Sequence, residues 1–466
     1  MLAIELGRCT NAKILGVGSM SKLNILFVNP PAPIPGEIWI RDTNRSGRYS
    51  KERTIWPQTS LAMLASMFPD DNVQIFDCIA EGWTYKECYD RMAQFQPTWV
   101  VLNPVSSSFS HDMIVAMYAH SLGAKTVCVS PHTKVLFEES QKRFPFLDYS
   151  LDYTKGGPEY EYQLRELIKG IPCNGDKFED LPPARQDLLP IEKYSLPLIG
   201  KGYTFVTISR GCAWACIYCR ATVQNERKPR FRSVNTVLEE IRLHHLTNIA
   251  FHADTATMNR KWMMEFCERV LTEIPWKIRI VTNSRVDTID PEMLSAMKRA
   301  GFWMICFGVE SGNDRVLAMN KKEATVAQAR QAVKAAKRAG LKVWTYLMLG
   351  MYGDTKETMQ ETIRLACELD GDICNFAVSA PYPGTEWGRV AQQEGYLTDQ
   401  RWESMDQNYS AITSQPDCSP ADVLTAQKSA YLRWYGSWRG IRFLLNAWRP
   451  QYSRFLWQVA KNHGSV

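Results

Sequence analysis

The 466-residue sequence contains no uninterrupted apolar run approaching 20 residues, so no transmembrane helix is expected. The opening stretch, Met1–Met20, lacks the basic start, apolar centre and small-residue cleavage site of a secretory signal; it reads as a loose leader over 1–21. Charge of one sign is also scarce. The net charge is only +6, and the basic clusters at Lys321-Lys322 and Arg227–Arg232 are too short for a nucleic-acid stripe. No internal repeat or low-complexity tract is present. Thirteen cysteines, an odd number without a secretory signal, point to reduced thiols with a metal site rather than a disulfide framework, and so to a cytoplasmic protein.

The patterning is that of an α/β protein. Leu23–Val28, Val73–Phe76, Trp99–Leu102 and Lys125–Val129 read as buried strands, separated by helical stretches at Gln58–Ser66, Tyr85–Ala93 and Asp112–Leu122. This alternation predicts a doubly wound, Rossmann-like parallel sheet over residues 22–150, with a ligand site at the strand C-termini. Residues 151–200 are rich in proline, which breaks helices and strands, and form the expected linker. A second alternation over 201–389 supplies strands at Phe205–Ser209, Ile249–His252, Lys277–Thr282, Trp303–Gly308, Lys342–Leu349 and Ile373–Ser379. Six such strands predict a partial parallel (β/α)6 barrel. Residues 390–466 are aromatic and basic and read as helices across the barrel mouth, with Leu432, Tyr435, Trp438 and Ile441 as a buried stripe.

The informative segment is Gly211-Cys212-Ala213-Trp214-Ala215-Cys216-Ile217-Tyr218-Cys219, just past the first barrel strand. Three thiolates in so short a loop can wrap one iron–sulfur cube, each taking one iron and leaving the fourth open. Zinc fits three cysteines without a local fourth ligand poorly. Three thiols brought together by chance in a core are the ordinary alternative.

The CxxxCxxC spacing, with an aromatic residue before the last cysteine, resembles the signature of the radical S-adenosylmethionine (SAM) superfamily. The resemblance implies a 4Fe-4S cluster on Cys212, Cys216 and Cys219 whose open iron binds SAM. Reductive cleavage of SAM then gives methionine and a 5′-deoxyadenosyl radical that abstracts hydrogen from a substrate. Further segments match the family in order across 203–388. By that resemblance Tyr218 lies against the adenine, Asp254 in Phe251–Thr257 accepts from the SAM ammonium, and Arg285 pairs with its carboxylate. Glu310 and Ser311 in Gly308-Val309-Glu310-Ser311-Gly312, and Gly350 in Leu349–Thr355, complete the cofactor pocket.

A doubly wound domain before such a barrel resembles the cobalamin-binding branch of the superfamily. Two departures bear on that cofactor. No Asp-x-His-x-x-Gly surrounds any of the seven histidines. Where the branch commonly has Gly-Gly-Pro-His, this chain has Val129-Ser130-Pro131-His132, which adds bulk where a corrin ring approaches. Gly156-Gly157-Pro158-Glu159 stands for a later glycine-rich turn. Cobalamin is either bound with altered contacts or the domain is a retained scaffold. Trp56-Pro57-Gln58-Thr59-Ser60, whose counterparts approach cofactor or substrate, reads otherwise as a helix cap by Thr59 or Ser60.

The layout is also similar to radical SAM aminoglycoside deoxygenating dehydratases of antibiotic gene clusters. The first expectation is therefore a lyase that dehydrates a sugar-like natural product, with Tyr218, Tyr203 or His252 as the assisting acid. The alternatives are cobalamin-dependent C-methylation and, from another class, a non-catalytic iron–sulfur electron carrier. The expected partners are a small-molecule substrate, a flavodoxin- or ferredoxin-like electron donor and a downstream reductase.

Overall fold

A computed structural model describes residues 22–41, 46–47, 54–130, 138–151, 159–196, 200–224, 227–408 and 410–446. The leader and the segments holding Pro131-His132 and Gly156-Gly157-Pro158 lie outside the described residues. Two parallel sheets dominate. The first contains β1 (Asn24–Asn29), β2 (Asn72–Asp77), β3 (Trp99–Leu102), β4 (Lys125–Val129) and β5 (Tyr149–Leu151), in the order β2-β1-β3-β4-β5. Helices α1 (Thr59–Ala65), α2 (Tyr85–Phe95) and α3 (Phe109–Ser121) cross between its strands. Both faces are covered: Ile25, Phe27, Val127 and Val129 enter one apolar cluster, while Leu26, Val28 and Cys128 enter another. This explains why the strands read as continuous apolar runs instead of alternating ones.

The predicted linker contains more structure than its prolines suggested. Helix α4 (Tyr160–Lys169) forms within it, burying Tyr160, Leu164 and Ile168 at helical spacing. No proline occurs between Pro158 and Pro172, so this stretch is free to close its hydrogen bonds.

The second sheet runs β6 (Thr204–Thr207), β7 (Asn248–His252), β8 (Arg279–Arg285), β9 (Phe302–Glu310), β10 (Lys342–Leu349) and β11 (Ile373–Val378), paired in sequence order. The intervening helices include α5 (Val234–Leu243), α6 (Arg260–Glu273), α7 (Pro291–Arg299), α8 (Asp314–Met319), α9 (Val326–Arg338) and α10 (Lys356–Glu368). Their starts are encoded locally. Ser233, Asn259, Asp290 and Asn313 each accept a backbone N–H three residues on, and Thr325 and Thr355 form capping boxes.

The two sheets share a core. Phe205, Ala250, Val281, Met304, Cys306 and Trp344, from inside the barrel, pack in one cluster with Ile25, Phe27 and Leu61. Thr59 Oγ1 at the start of α1 donates to Phe205 O at 3.3 Å.

Among the described residues the C-terminal helices do not cross the barrel mouth. After α11 (Glu386–Gln393), α12 (Pro420–Tyr435) lies along the last strand and α10, with Gln427 Nε2 donating to Phe376 O at 2.8 Å. It thereby covers an otherwise open strand edge. Its buried face is Val423, Ala426, Gln427, Ala430 and Trp434, not the expected stripe. Leu432, Trp438 and Ile441 are exposed and Tyr435 is half-buried. The helix stops at Gly436, so Trp438 and Ile441 belong to a separate helix, α13 (Trp438–Asn446), and do not continue the phase of α12. Among the described residues no helix is long and apolar enough to cross a membrane.

Candidate active site

The cysteine loop leaves the C-terminal end of β6 through Ser209–Arg210, which pairs antiparallel with Arg230–Phe231. Its root is anchored by charge. The Arg210 guanidinium donates to Glu159 Oε2 at 3.1 Å and Glu161 Oε2 at 2.9 Å, and lies 4.1 Å from the Tyr160 ring centroid. All three partners come from the start of α4, so the linker helix fixes where the loop begins. Gly211 turns the chain at φ +90°, a conformation that strains residues with a Cβ. Its N–H donates to Asp254 Oδ2 at 2.6 Å. Further along, Ile217 N donates to Asn320 O at 3.2 Å, and Trp387 N donates to Ile217 O at 2.9 Å.

Cys212, Cys216 and Cys219 face one chamber with Tyr218, Asp254, Arg285, Glu310 and Lys322. None of the three is in a disulfide. Burial pushes the Cys212 and Cys219 thiols up, and it pushes the Tyr218 phenol well up too, with Glu310 adding to that shift. Binding to iron would take the thiols as thiolates against that burial. Among the described residues no three His, Cys, Asp or Glu side chains gather where they would hold a single ion. Three soft sulfurs lining one chamber fit a cube, which gives each thiolate its own iron.

The other predicted residues divide. Asp254 and Glu310 line the chamber, and Asp254 additionally ties down the cysteine loop. Glu310 sits at φ +67°, beside a register irregularity between Gly308 and Glu310 that re-aims its side chain. Lys322 Nζ donates to its carboxylate at 2.9 Å. Lys322 was not foreseen: it reaches the chamber only because the chain after α8 folds back over β9, which no local pattern reveals.

Arg285 lines the chamber, but its guanidinium is already engaged. Nε and Nη2 donate to the two Asp287 oxygens at 2.8 and 2.7 Å, and Nη1 lies 3.8 Å from Cys216 Sγ. Ser311 is buried away from the chamber, accepting from Asn313 N at 3.2 Å. Gly350, at φ +75°, makes the turn after β10, where an added Cβ would come within 2.9 Å of Val423. Tyr203 lines neither cavity, and its hydroxyl donates to Ile55 O at 3.3 Å.

A second cavity of about 240 Å³ runs through the barrel interior. It shares Asn283, Cys306, Glu310, Tyr346, Met348 and Gln407 with the cysteine chamber and is lined at its far side by Trp56. His252 lines it, with Nδ1 3.4 Å from Thr207 Oγ1. The reading of Trp56–Ser60 as an approach to the site is the one the geometry matches. Gln58, not Thr59 or Ser60, precedes α1, and no side chain caps the helix.

The rim of the first sheet bears on cobalamin. Topology places its ligand crevice between β1 and β3, and there Arg41 bridges Asn29 Oδ1 at 3.1 Å and Asp112 at 2.9 and 3.0 Å. Farther across, the described part of the expected obstruction, Val129 and Ser130, turns away from the rim. Val129 is packed into the core, and Ser130 is tucked inward, its Oγ donating to Pro104 O at 2.6 Å. Ser107 Oγ, His111 Nδ1 and Ser140 Oγ, on the segments that follow β3 and β4, are buried polar atoms without a hydrogen-bond partner among the described residues. Such atoms are costly unless a bound group satisfies them. The β3–β4 side of the rim therefore fits a large polar cofactor, whereas the β1–β3 crevice is filled by the protein itself.

Residues 206–366 match the model of the radical SAM superfamily. The chain is 28% identical over 386 residues to an uncharacterized methyltransferase of Pyrococcus horikoshii, covering 75% of this chain and 81% of that one. It is 24% identical over 368 residues to an anaerobic magnesium-protoporphyrin IX monomethyl ester cyclase of Cereibacter sphaeroides, covering 71% of this chain and 59% of that one. Among solved structures, the radical SAM methyltransferase TsrM of Kitasatospora setae, with cobalamin and a [4Fe-4S] cluster bound, superposes with a TM-score of 0.62 at 14% identity, over 92% of each chain. A radical SAM domain carries a 4Fe-4S cluster and uses SAM, so the carrier-protein alternative gives way to an enzyme. Residues 206–366 of the chain form a radical SAM domain, and its two-sheet fold is that of the cobalamin-bound TsrM structure.

Proposed function

We propose that the protein is a cobalamin-dependent radical SAM C-methyltransferase acting on a small molecule held in the barrel cavity. The observation that carries this reading is the shared wall of the two cavities. A substrate between Trp56 and Tyr346 would stand between the cysteine chamber and the side of the barrel where the first sheet packs. The relatives favour methylation over the dehydration expected first. When bound, the cluster supplies the electron that cleaves one SAM, and cobalamin relays a methyl group from a second.

The chain's own residues hold and orient the reactants. Cys212, Cys216 and Cys219 hold the cluster. Asp254 accepts from the SAM ammonium while fixing the cysteine loop through Gly211. Lys322 is the cation assigned to the SAM carboxylate: Glu310 takes one of its three N–H donors and orients it, whereas Asp287 takes Arg285 through both Nε and Nη2. Tyr218 packs against the adenine; burial keeps its phenol protonated. The aromatic walls at Trp56, Phe205 and Trp344 exclude water from a carbon-centred radical. A flavodoxin- or ferredoxin-like protein supplies the electron.

Dehydration is the second reading, favoured by the carboxamides and His252 around the cavity, a set suited to hydroxyl groups. Tyr203 drops out as its acid because its hydroxyl is directed at Ile55 O. Anaerobic reconstitution with iron, sulfide and hydroxocobalamin separates the two. Methylation predicts about one retained cobalt per chain and S-adenosylhomocysteine formed alongside 5′-deoxyadenosine. Formation of 5′-deoxyadenosine with neither cobalt nor S-adenosylhomocysteine would overturn it in favour of dehydration.

A further inference from the structure

The barrel cavity has few charges and many hydrogen-bonding groups. Its walls contain one Asp, Glu, Lys or Arg side chain among the described residues, Glu310, and Lys322 already meets that carboxylate. A phosphate or carboxylate on the substrate would find no unengaged cation there, and burying one uncompensated is costly.

The polar groups are carboxamides with capacity to spare. Asn283 uses Nδ2 on Ala253 O at 3.4 Å, which leaves Oδ1 to accept. Asn375 Oδ1 accepts from Tyr431 at 2.5 Å, which leaves Nδ2 to donate. Gln407, half-buried and shared by both cavities, makes no hydrogen bond through its carboxamide among the described residues. Trp344 is 2% exposed, and its Nε1 is a buried donor without an acceptor. Donors and acceptors are thus interleaved around one space, the complement of hydroxyl groups, each of which both donates and accepts. Trp56, Trp344 and Tyr346 supply flat apolar faces between them.

We infer that the cavity binds a polyhydroxylated ring, a glycoside or cyclitol, through its hydroxyl groups and the apolar face of its C–H bonds. A flat heteroaromatic ligand would satisfy the aromatic walls but leave the Asn375 and Gln407 donors and the Trp344 N–H unpaired. A phosphorylated ligand would satisfy the donors but bring a charge the walls do not balance. This inference rests on reading the cavity as the substrate site of the proposed reaction.

Saturation-transfer NMR on the reconstituted full chain with SAM tests it, using methyl β-glucopyranoside, indole and glucose 6-phosphate as probes. The expected result is transfer to the ring protons of the glucoside, at least fivefold greater than to the phosphate ester. That transfer should fall at least fivefold in Gln407→Leu and in Trp344→Phe, with the cluster absorbance of both variants retained. Stronger transfer to indole than to the glucoside, equal transfer to the phosphate ester, no transfer to any probe, or a glucoside signal unchanged in Gln407→Leu overturns it. Cobalt retention and S-adenosylhomocysteine are read separately. A chain that lacks both and still binds the glucoside loses the methylation reading and keeps this one; the reverse pattern does the opposite.

Discussion

Arg285 lies over Trp214, with 4.2 Å from its guanidinium carbon to the ring centroid, while its Nη1 is 3.8 Å from Cys216 Sγ. The side chain is 4% exposed and Asp287 holds it in a bidentate pair. A fixed positive edge beside a cluster ligand favours the more negative, reduced cluster. Arg285→Gln should therefore lower the midpoint potential of the reconstituted cluster by about 40 mV, the one-electron equivalent of roughly 1 kcal/mol. Asp287 neutralises part of the charge, which keeps the shift this small. An EPR-monitored redox titration showing no shift would remove Arg285 from any electrostatic role at the cluster.

The Arg210–Glu161 pair is the second anchor of the loop. Glu161 is fully buried and Arg210 nearly so. Removing Glu161 leaves Arg210 only its Glu159 partner at 3.1 Å, so the loss should stay below the about 3–5 kcal/mol of a wholly uncompensated buried charge. Glu161→Ala should lower stability by about 1–3 kcal/mol in urea denaturation, and iron content after reconstitution should fall with it. A double variant, Arg210→Met with Glu161→Leu, should recover much of the stability by removing both charges. If the single variant unfolds at the wild-type midpoint, the pair is not an anchor.

Much of the architecture was legible because its signals are local. Arg260–Glu273 is a helix bounded by its Asn259 cap, and Lys342–Leu349 is a strand buried on both faces. The three cysteines are legible as a site because eight residues of chain hold all three. What failed depended on contacts that side-chain direction decides. Nothing in sequence indicates that Lys322 folds back onto Glu310, and the closeness of Asp287 to Arg285 does not show that its carboxylate turns onto the guanidinium. The expected aromatic stripe at 432–441 does not form because helical phase does not continue across Gly436, where the helix ends. Ser311 and Gly350 matched family motifs but serve the backbone, one accepting from Asn313 N and the other turning beside Val423.

The segment after Gly350 carries a pH dependence of its own. Asp354 accepts from Met351 N at 2.9 Å and from Thr358 Oγ1 at 2.7 Å, which closes the turn and starts α10. Desolvation by burial raises its carboxyl from the ordinary 3.8 to about 6. The folded chain therefore holds this proton more tightly than the unfolded one. The resulting stabilisation, up to about 3 kcal/mol, is full below pH 3.8 and is lost as the pH rises through about 6. Relative to Asp354→Asn, the wild-type melting temperature should fall between pH 4 and 6.5 and run parallel above pH 7. A constant difference across that range would mean that Asp354 does not titrate there.

Lys322 and Glu310 make the sharpest test of the chamber, because their pairing separates a binding role from a structural one. Side-chain exposures of 5% and 12% mean that neither charge is screened by bulk water. Lys322→Met removes the cation proposed for the SAM carboxylate and also leaves Glu310 unpaired. Lys322→Met with Glu310→Gln removes the cation without creating that lone charge. If Lys322 only neutralises Glu310, the double variant should bind SAM as the wild type does. If it also meets the SAM carboxylate, both variants should bind SAM at least tenfold more weakly, a loss of about 1.4 kcal/mol or more. The change in the EPR signal of the reduced cluster on adding SAM gives the affinity directly and does not require turnover. Wild-type affinity in the double variant would return the carboxylate contact to another residue of the chamber, with Arg220 the next cation on its wall.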